Sequence, residues 1–106
     1  MLTKVLLGIT MYLMEFRLTE LIWDEFNSEH ISKHKVNKTE VYEALENVLT
    51  ILEVRQGRKL LVCQTKSKRY LALVIIHKGG NAYYLVTARD ASSKEKRLIY
   101  DENKNK

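Results

Sequence analysis

The segment Arg69–His77 constrains this chain more than any other. Its interior, Tyr70-Leu-Ala-Leu-Val-Ile-Ile76, is almost wholly apolar and rich in β-branched residues. Such a strand has no polar face to turn to water, so it belongs in the middle of a sheet covered on both sides. Turn signals flank it. Lys66-Ser67-Lys68 precedes it, and Gly79-Gly80-Asn81 follows with the φ > 0 positions a hairpin needs. Thr50–Arg55 and Lys59–Thr65 read as strands joined by a Gln56-Gly57-Arg58 turn, and Ala82–Ala88 reads as the last strand. Short turns between all four predict an antiparallel four-stranded meander.

Helix signals bracket that meander. Phe16–Trp23 reads as a short strand, after which Asp24 is a good N-cap for a helix over 25–34. Phe26, His30, Ile31 and His34 recur there at helical spacing as one semi-apolar face. Asn37 caps a second helix, with Glu40 in capping-box position and Val36 placed to staple onto Val41. Val41, Ala44, Leu45, Val48 and Leu49 form its expected buried stripe. A closing helix over 93–103 has Ser92 and Glu95 in capping-box spacing, with Leu98 and Ile99 to dock it. Helices followed by hairpin-linked strands predict an α+β fold.

At 106 residues the chain makes one domain, and no linker or repeat divides it. Charge is unevenly placed. Residues 1–54 carry five Lys/Arg and nine Asp/Glu, whereas residues 55–106 carry thirteen and four. A basic half points to a polyanion, nucleic acid first, or else is a solvated surface. Cys63, the single cysteine, lies in an apolar run and reads as a buried thiol in a reducing cytosol. Residues 1–13 form an apolar leader too short to span a bilayer and without a cleavage site. It reads as an added strand, or as a disordered leader produced by the choice of start codon ahead of Met11 or Met14. The second reading puts the domain at 14–106.

Several chemistries have no signature here. No phosphate-binding glycine loop, dinucleotide fingerprint or nucleophile elbow occurs, so no cofactor is expected. His30 and His34 are an i, i+4 pair without a third ligand, so no metal site is expected either.

What remains suits metal-free RNA cleavage. A base takes the 2′-OH proton, the oxygen attacks phosphorus, and cations stabilise the pentacoordinate charge. In Ala82-Tyr-Tyr-Leu-Val-Thr-Ala-Arg-Asp-Ala91, Arg89 stands at a strand end beside a helix start, an arrangement suited to a phosphate. The alternative is an arginine that salt-bridges its own helix. Thr87 is two residues earlier and shares its face. Arg58 in the preceding turn and Arg69 at a strand start can join them, or serve as a turn residue and an edge charge. Tyr70, Tyr83 and Tyr84 offer base-stacking surfaces, with Tyr83 and Tyr84 facing opposite ways, unless they are packing residues. Lys66, Lys68, Arg69, Tyr84, Lys94 and Arg97 are the expected RNA-binding set.

Three islands resemble the BrnT family of toxins from type II toxin–antitoxin pairs. They are Ile22-Trp-Asp-Glu25 with Lys33-His34 and Val36, then Glu40, Val41 and Ala44, then Val86-Thr-Ala-Arg-Asp-Ala91 with Lys94-Glu-Lys-Arg97 and Tyr100. Together they cover about residues 16–100 in the family's order. The resemblance implies a compact RelE-like α+β fold and a ribonuclease that inhibits translation in the cytoplasm. It also implies a cognate antitoxin with a DNA-binding domain, able to form a toxin–antitoxin heterotetramer and repress the shared operon. Carried over by position, the catalytic candidates are Arg58, Thr87 and Arg89, with Lys33 and His34 near the helix end. Family members commonly have glycine after the K-H pair and arginine after the A-R pair, where this chain has Lys35 and Asp90. Asp90 is expected to neutralise Arg89 in part, and Arg89→Ala to abolish toxicity without unfolding the protein. The rival expectation is a non-catalytic nucleic-acid or antitoxin-binding module, including a decayed toxin.

Overall fold

A computed structural model describes the backbone of residues 3–13 and 16–104 and the side chains of residues 20–100. Its elements in chain order are β1 (Thr3–Leu13), β2 (Phe16–Trp23), α1 (Glu25–Lys33), α2 (Lys38–Leu45), β3 (Val48–Glu53), β4 (Arg58–Gln64), β5 (Tyr70–Gly79), β6 (Ala82–Asp90) and α3 (Ser93–Lys104). One 3₁₀ turn, Arg55–Gly57, joins β3 to β4. The class is α+β.

The sheet is larger than a four-stranded meander. Strands β3, β4, β5 and β6 do form that meander, antiparallel throughout. The full order is β1-β2-β6-β5-β4-β3. Strand β2 joins β6 in parallel, with Leu21 opposite Tyr83, and β1 adds antiparallel to β2. The sheet is therefore mixed. Pairing with β2 removes the edge that β6 would otherwise expose. The backbone of Thr3–Leu13 takes the added-strand alternative, while the boundary at Met14 lies outside the described residues.

Both faces of β5 are covered, as its composition demands. On one face α1 and α2 enclose Leu61, Cys63, Leu71, Leu73, Ile75, Leu85 and Ala88, together with Ile31, Val41 and Leu45. On the other, Leu60, Val62, Ala72 and Ala91 are buried, with Ile99 of α3 packed against them. Trp23 ends β2 and is 1% exposed. Its Nε1 donates to the Tyr42 hydroxyl at 2.7 Å, tying β2 to α2.

Helix starts follow their caps. Asp24 and Asn27 form a reciprocal capping box, as do Asn37 with Glu40 and Ser92 with Glu95. Two expectations need correction. Val48 and Leu49 belong to β3, because α2 ends at Leu45 and the chain turns through Glu46 and Asn47. Phe26, His30 and His34 are exposed, and α1 docks through Asn27 and Ile31 instead. Asn27 can be buried because its amide donates to the Ile22 carbonyl and its oxygen accepts from the Asp24 N–H.

The end of α1 takes a left-handed form, a conformation in which glycine is ordinarily found. Lys35 has φ 59°. Its N–H donates to Ser32, and the Val36 N–H donates to Ile31, which is the Schellman pattern. Val36 and Ile31 are both buried, so their contact holds this shape despite the cost of a side chain there.

Candidate functional site

Register places Arg58, Thr87 and Arg89 on one face of the sheet. Arg58 pairs with Ile76, Leu60 with Val74 and Val62 with Ala72. Across β5, Ile76 pairs with Tyr84, Val74 with Thr87 and Ala72 with Arg89. Three rows result, Arg58–Ile76–Tyr84, Leu60–Val74–Thr87 and Val62–Ala72–Arg89. Sheet spacings put the Arg58 Cα about 12 Å from that of Thr87 and about 16 Å from that of Arg89. Arg58 opens β4 rather than sitting in the turn before it, so its stem starts on the sheet.

Helix α3 covers the β3–β4 side of this face and leaves the β6 side half-open. Val74, Ile76, Tyr84, Val86 and Thr87 are half-buried there. Strand β2 ends at Trp23, so the second half of β6 has α1 as its neighbour rather than another strand. A cleft between them is lined by Phe26, Asn27, Glu29, His30, Lys33, Tyr84 and Val86. Its wall bends where the register shifts between Val74 and Ile75, a bulge that leaves Val86 beside Thr87.

Three polar atoms on this face are unmatched among the described residues. The Arg58 Nε, the Thr87 Oγ1 and the Thr50 Oγ1 are buried without a hydrogen-bond partner among those residues. Thr50 lies opposite Val62 on the closed β3 side and is 4% exposed, whereas Arg58 and Thr87 are half-buried. Buried polar atoms are seldom left so, because each forgoes the hydrogen bonds water would give it.

Arg89 is fully engaged. Its two terminal nitrogens donate to the two carboxylate oxygens of Glu95 at 2.8 and 2.9 Å, and one also donates to the Asp90 carbonyl. The Arg89 guanidinium holds the Glu95 carboxyl down to about 2, helped by the Ser92 N–H. The same hydrogen bonds raise the Arg89 pKa. Asp90 therefore does not neutralise Arg89 through its carboxylate. That carboxylate accepts from Arg69 Nε at 2.7 Å.

Arg69 joins three elements. Besides Asp90 it donates to Glu40 at 3.0 and 3.2 Å, to the Lys35 carbonyl at 2.9 Å and to the His34 carbonyl at 3.4 Å. Its hydrogen bonds bind the end of α1, the start of α2 and the end of β6. The Arg69 hydrogen bond, then the charges of Arg69, Lys96 and His34, lower the Asp90 pKa.

The other candidates are scattered. Lys33 ends α1 and His34 caps it, both exposed, with the His34 ring 5.1 Å from that of His30. Tyr84 donates its hydroxyl to both Asp24 oxygens at 2.9 and 3.0 Å, so only its ring is free to the cleft. Burial and this bond push its pKa up to about 12. Lys66 and Lys68 lie in the β4–β5 turn, at the far end of β4 from Arg58. Lys94 and Arg97 are exposed on α3. Tyr83 is buried against His77. Among the described residues, no three His, Cys, Asp or Glu side chains gather to hold a metal, and no helix is long and apolar enough to cross a membrane.

Comparison with known proteins is silent. No family model, no curated protein and no solved structure matches this chain.

Sequence reasoning missed two features. The first is the identity of Glu95: the alternative that Arg89 salt-bridges its own helix is what the structure has, but Glu95 was accounted for only as a cap by its spacing from Ser92. The second is the cleft. Its signal was the i, i+4, i+7 stripe Phe26, His30, Lys33, which is polar enough to face outward.

Proposed function

We propose that this chain is the toxin of a type II toxin–antitoxin pair, a BrnT-like protein of RelE-like fold that cuts RNA without a metal. The observation that carries the reading is that Arg58 Nε and Thr87 Oγ1, unmatched among the described residues, belong to half-buried side chains on the half-open part of one sheet face, whereas the third unmatched atom there, Thr50 Oγ1, is closed off in β3. A donor and a hydroxyl left unmatched by the fold suit a phosphodiester, which supplies acceptor oxygens to both.

In this mechanism Arg58 and Thr87 hold the scissile phosphate. A base, His34 or Lys33, takes the proton from the 2′-OH. The 2′-oxygen bonds to phosphorus, the bond from phosphorus to the 5′-oxygen breaks, and that oxygen takes up a proton. Products end in 2′,3′-cyclic phosphate and 5′-hydroxyl. Arg58 balances the charge that gathers on the phosphoryl oxygens in the transition state. Arg89 contributes once a second anion draws it from Glu95. The exposed cations Lys66, Lys68, Lys94 and Arg97 lend the sequence-independent attraction that any polyanion feels. The cytoplasmic partner is an antitoxin with a DNA-binding domain that covers this face and assembles with the toxin as a heterotetramer.

One observation favours a second reading, a binder that does not cut. Glu95 occupies both ends of the Arg89 fork, as a purely structural arginine would have it. End-labelled RNA incubated with the protein in excess EDTA separates the two. Cleavage to cyclic-phosphate ends, lost in Arg58→Ala and Thr87→Val, is the expected result. Tight, salt-sensitive binding with intact RNA would establish the binder.

A further inference from the structure

The cleft between α1 and β6 contains side chains that the fold does not use. Phe26 is 81% exposed in the first turn of α1, although a phenyl ring gains nothing from water there. Glu29 and Lys33 are an i, i+4 pair that ordinarily bridges, yet neither side chain makes an ion pair or hydrogen bond with a described residue. Asn27 and the Tyr84 hydroxyl, by contrast, are committed to Ile22 and Asp24 and can only form walls. An aromatic ring, an imidazole, and a carboxylate and an ammonium with no partner among the described residues therefore line one cleft. It opens beside Thr87, because Val86 belongs to both.

We propose that this cleft is a nucleobase subsite that selects guanine next to the scissile phosphate. The inference rests on the RNA reading above and deepens it. Phe26 and the His30 ring offer a stacking surface for a purine. Glu29 offers two acceptor oxygens side by side. Guanine alone among the four bases presents two parallel N–H donors, N1–H and the N2 amino group, to such a pair. Adenine and cytosine set an acceptor beside their amino group, and uracil flanks its single N–H with acceptors. Lys33, as an ammonium, balances the neighbouring phosphate, which leaves His34 as the base. The carboxylate therefore carries the choice of base, while the ring and the ammonium carry affinity.

The test titrates guanosine 3′-monophosphate and its adenosine, cytidine and uridine counterparts into the labelled protein, following amide shifts. Guanosine monophosphate is expected to bind at least tenfold more tightly than the others, with the largest shifts in α1 and at 84–87. Phe26→Ala, a surface change with an unaltered melting curve, should weaken it tenfold or more. Glu29→Gln should bring guanosine and adenosine monophosphates to within about threefold of each other. Equal affinity for all four, or shifts confined to other faces, overturns the subsite. RNA mapping separates this from the parent reading. Cleavage with no preference for guanine beside the cut overturns the subsite and leaves the ribonuclease. Guanosine monophosphate bound in the cleft of a protein that never cuts RNA supports the subsite and overturns the ribonuclease.

Discussion

Glu95 grips both terminal nitrogens of Arg89, at 2.8 and 2.9 Å, while one of its oxygens also accepts from the Ser92 N–H at 2.8 Å. One carboxylate thus caps α3 and ties it to the end of β6. Its pKa is lowered from 4.5 to about 2, with the Arg89 hydrogen bonds the leading cause. The unfolded chain takes up the proton first as pH falls. The stability contributed is thus complete above about pH 4.5 and lost as pH drops toward 2. Because the Arg89 side chain is 35% exposed, screening keeps this to about 1–2 kcal/mol. Urea unfolding of wild type and Glu95→Gln should show that difference at neutral pH and only a small remainder near pH 2. A difference that persists undiminished in acid would refute the assignment.

The same pairing changes what Arg89→Ala means. The Glu95 side chain is 14% exposed, and without Arg89 its charge loses its partner. Removing one member of a half-buried pair costs its own hydrogen bonds and also leaves the other charge unmatched. Arg89→Ala should lower stability by about 1–3 kcal/mol, or several degrees in Tm for a domain of this size. Lost RNA cleavage in that variant therefore needs a melting curve beside it. The double variant Arg89→Ala with Glu95→Gln should recover part of the loss.

Lys35 is the clearest site of stored backbone cost. It sits at φ 59° where glycine pays no steric penalty, and its side chain is exposed. Its backbone is what the fold uses, the N–H donating to Ser32 and the carbonyl accepting from Arg69. Lys35→Gly should stabilise the protein by about 0.5–1 kcal/mol, reduced by the greater freedom of glycine in the unfolded chain. Denaturant midpoints would measure it. A clear loss would mean that the Lys35 side chain supports the helix end in a way its exposure hides.

What was readable in the sequence was local. Asp24, Asn37 and Ser92 cap helices because each bond spans three residues, so spacing alone reveals it. The four-strand meander was readable for the same reason, since its turns are short. Val48 and Leu49 were misread because a short apolar run fits a helix stripe and a strand equally well. The partnership of β2 with β6 joins residues about sixty apart, and no periodicity reports it. At the site, strand alternation placed Thr87 with Arg89. The ties from Arg69 to Glu40 and Asp90 span 29 and 21 residues and leave no local trace.

Tyr84 should ionise late. Burial, then its bond to Asp24, raises its pKa from 10 to about 12. Below pH 10 its contribution to stability is intact. As pH rises through about 12 the unfolded chain has already lost its proton and the native advantage disappears. Tyrosinate absorbance should show this residue among those ionising last, together with Tyr42, which burial also raises. Tyr84→Phe should remove one late-ionising group and cost about 0.5–1.5 kcal/mol for the lost hydrogen bond. An unchanged late phase in Tyr84→Phe would assign it elsewhere.

Thr87 and stability should part company with Thr87 and function. Its Oγ1 is buried without a partner among the described residues, so the hydroxyl costs desolvation with no hydrogen bond from them in return. Valine has nearly the same shape and the same preference for a strand. Thr87→Val should therefore leave stability unchanged or raise it by up to about 1 kcal/mol. If the hydroxyl is kept for a phosphate, the same variant should lose roughly tenfold or more in RNA cleavage or binding, since one hydrogen bond to a charged group is worth about 1.5–3 kcal/mol. Melting and RNA assays on one preparation decide it. A stabilised variant with undiminished RNA activity would mean that Thr87 faces no ligand, and the arginine face would lose its central member.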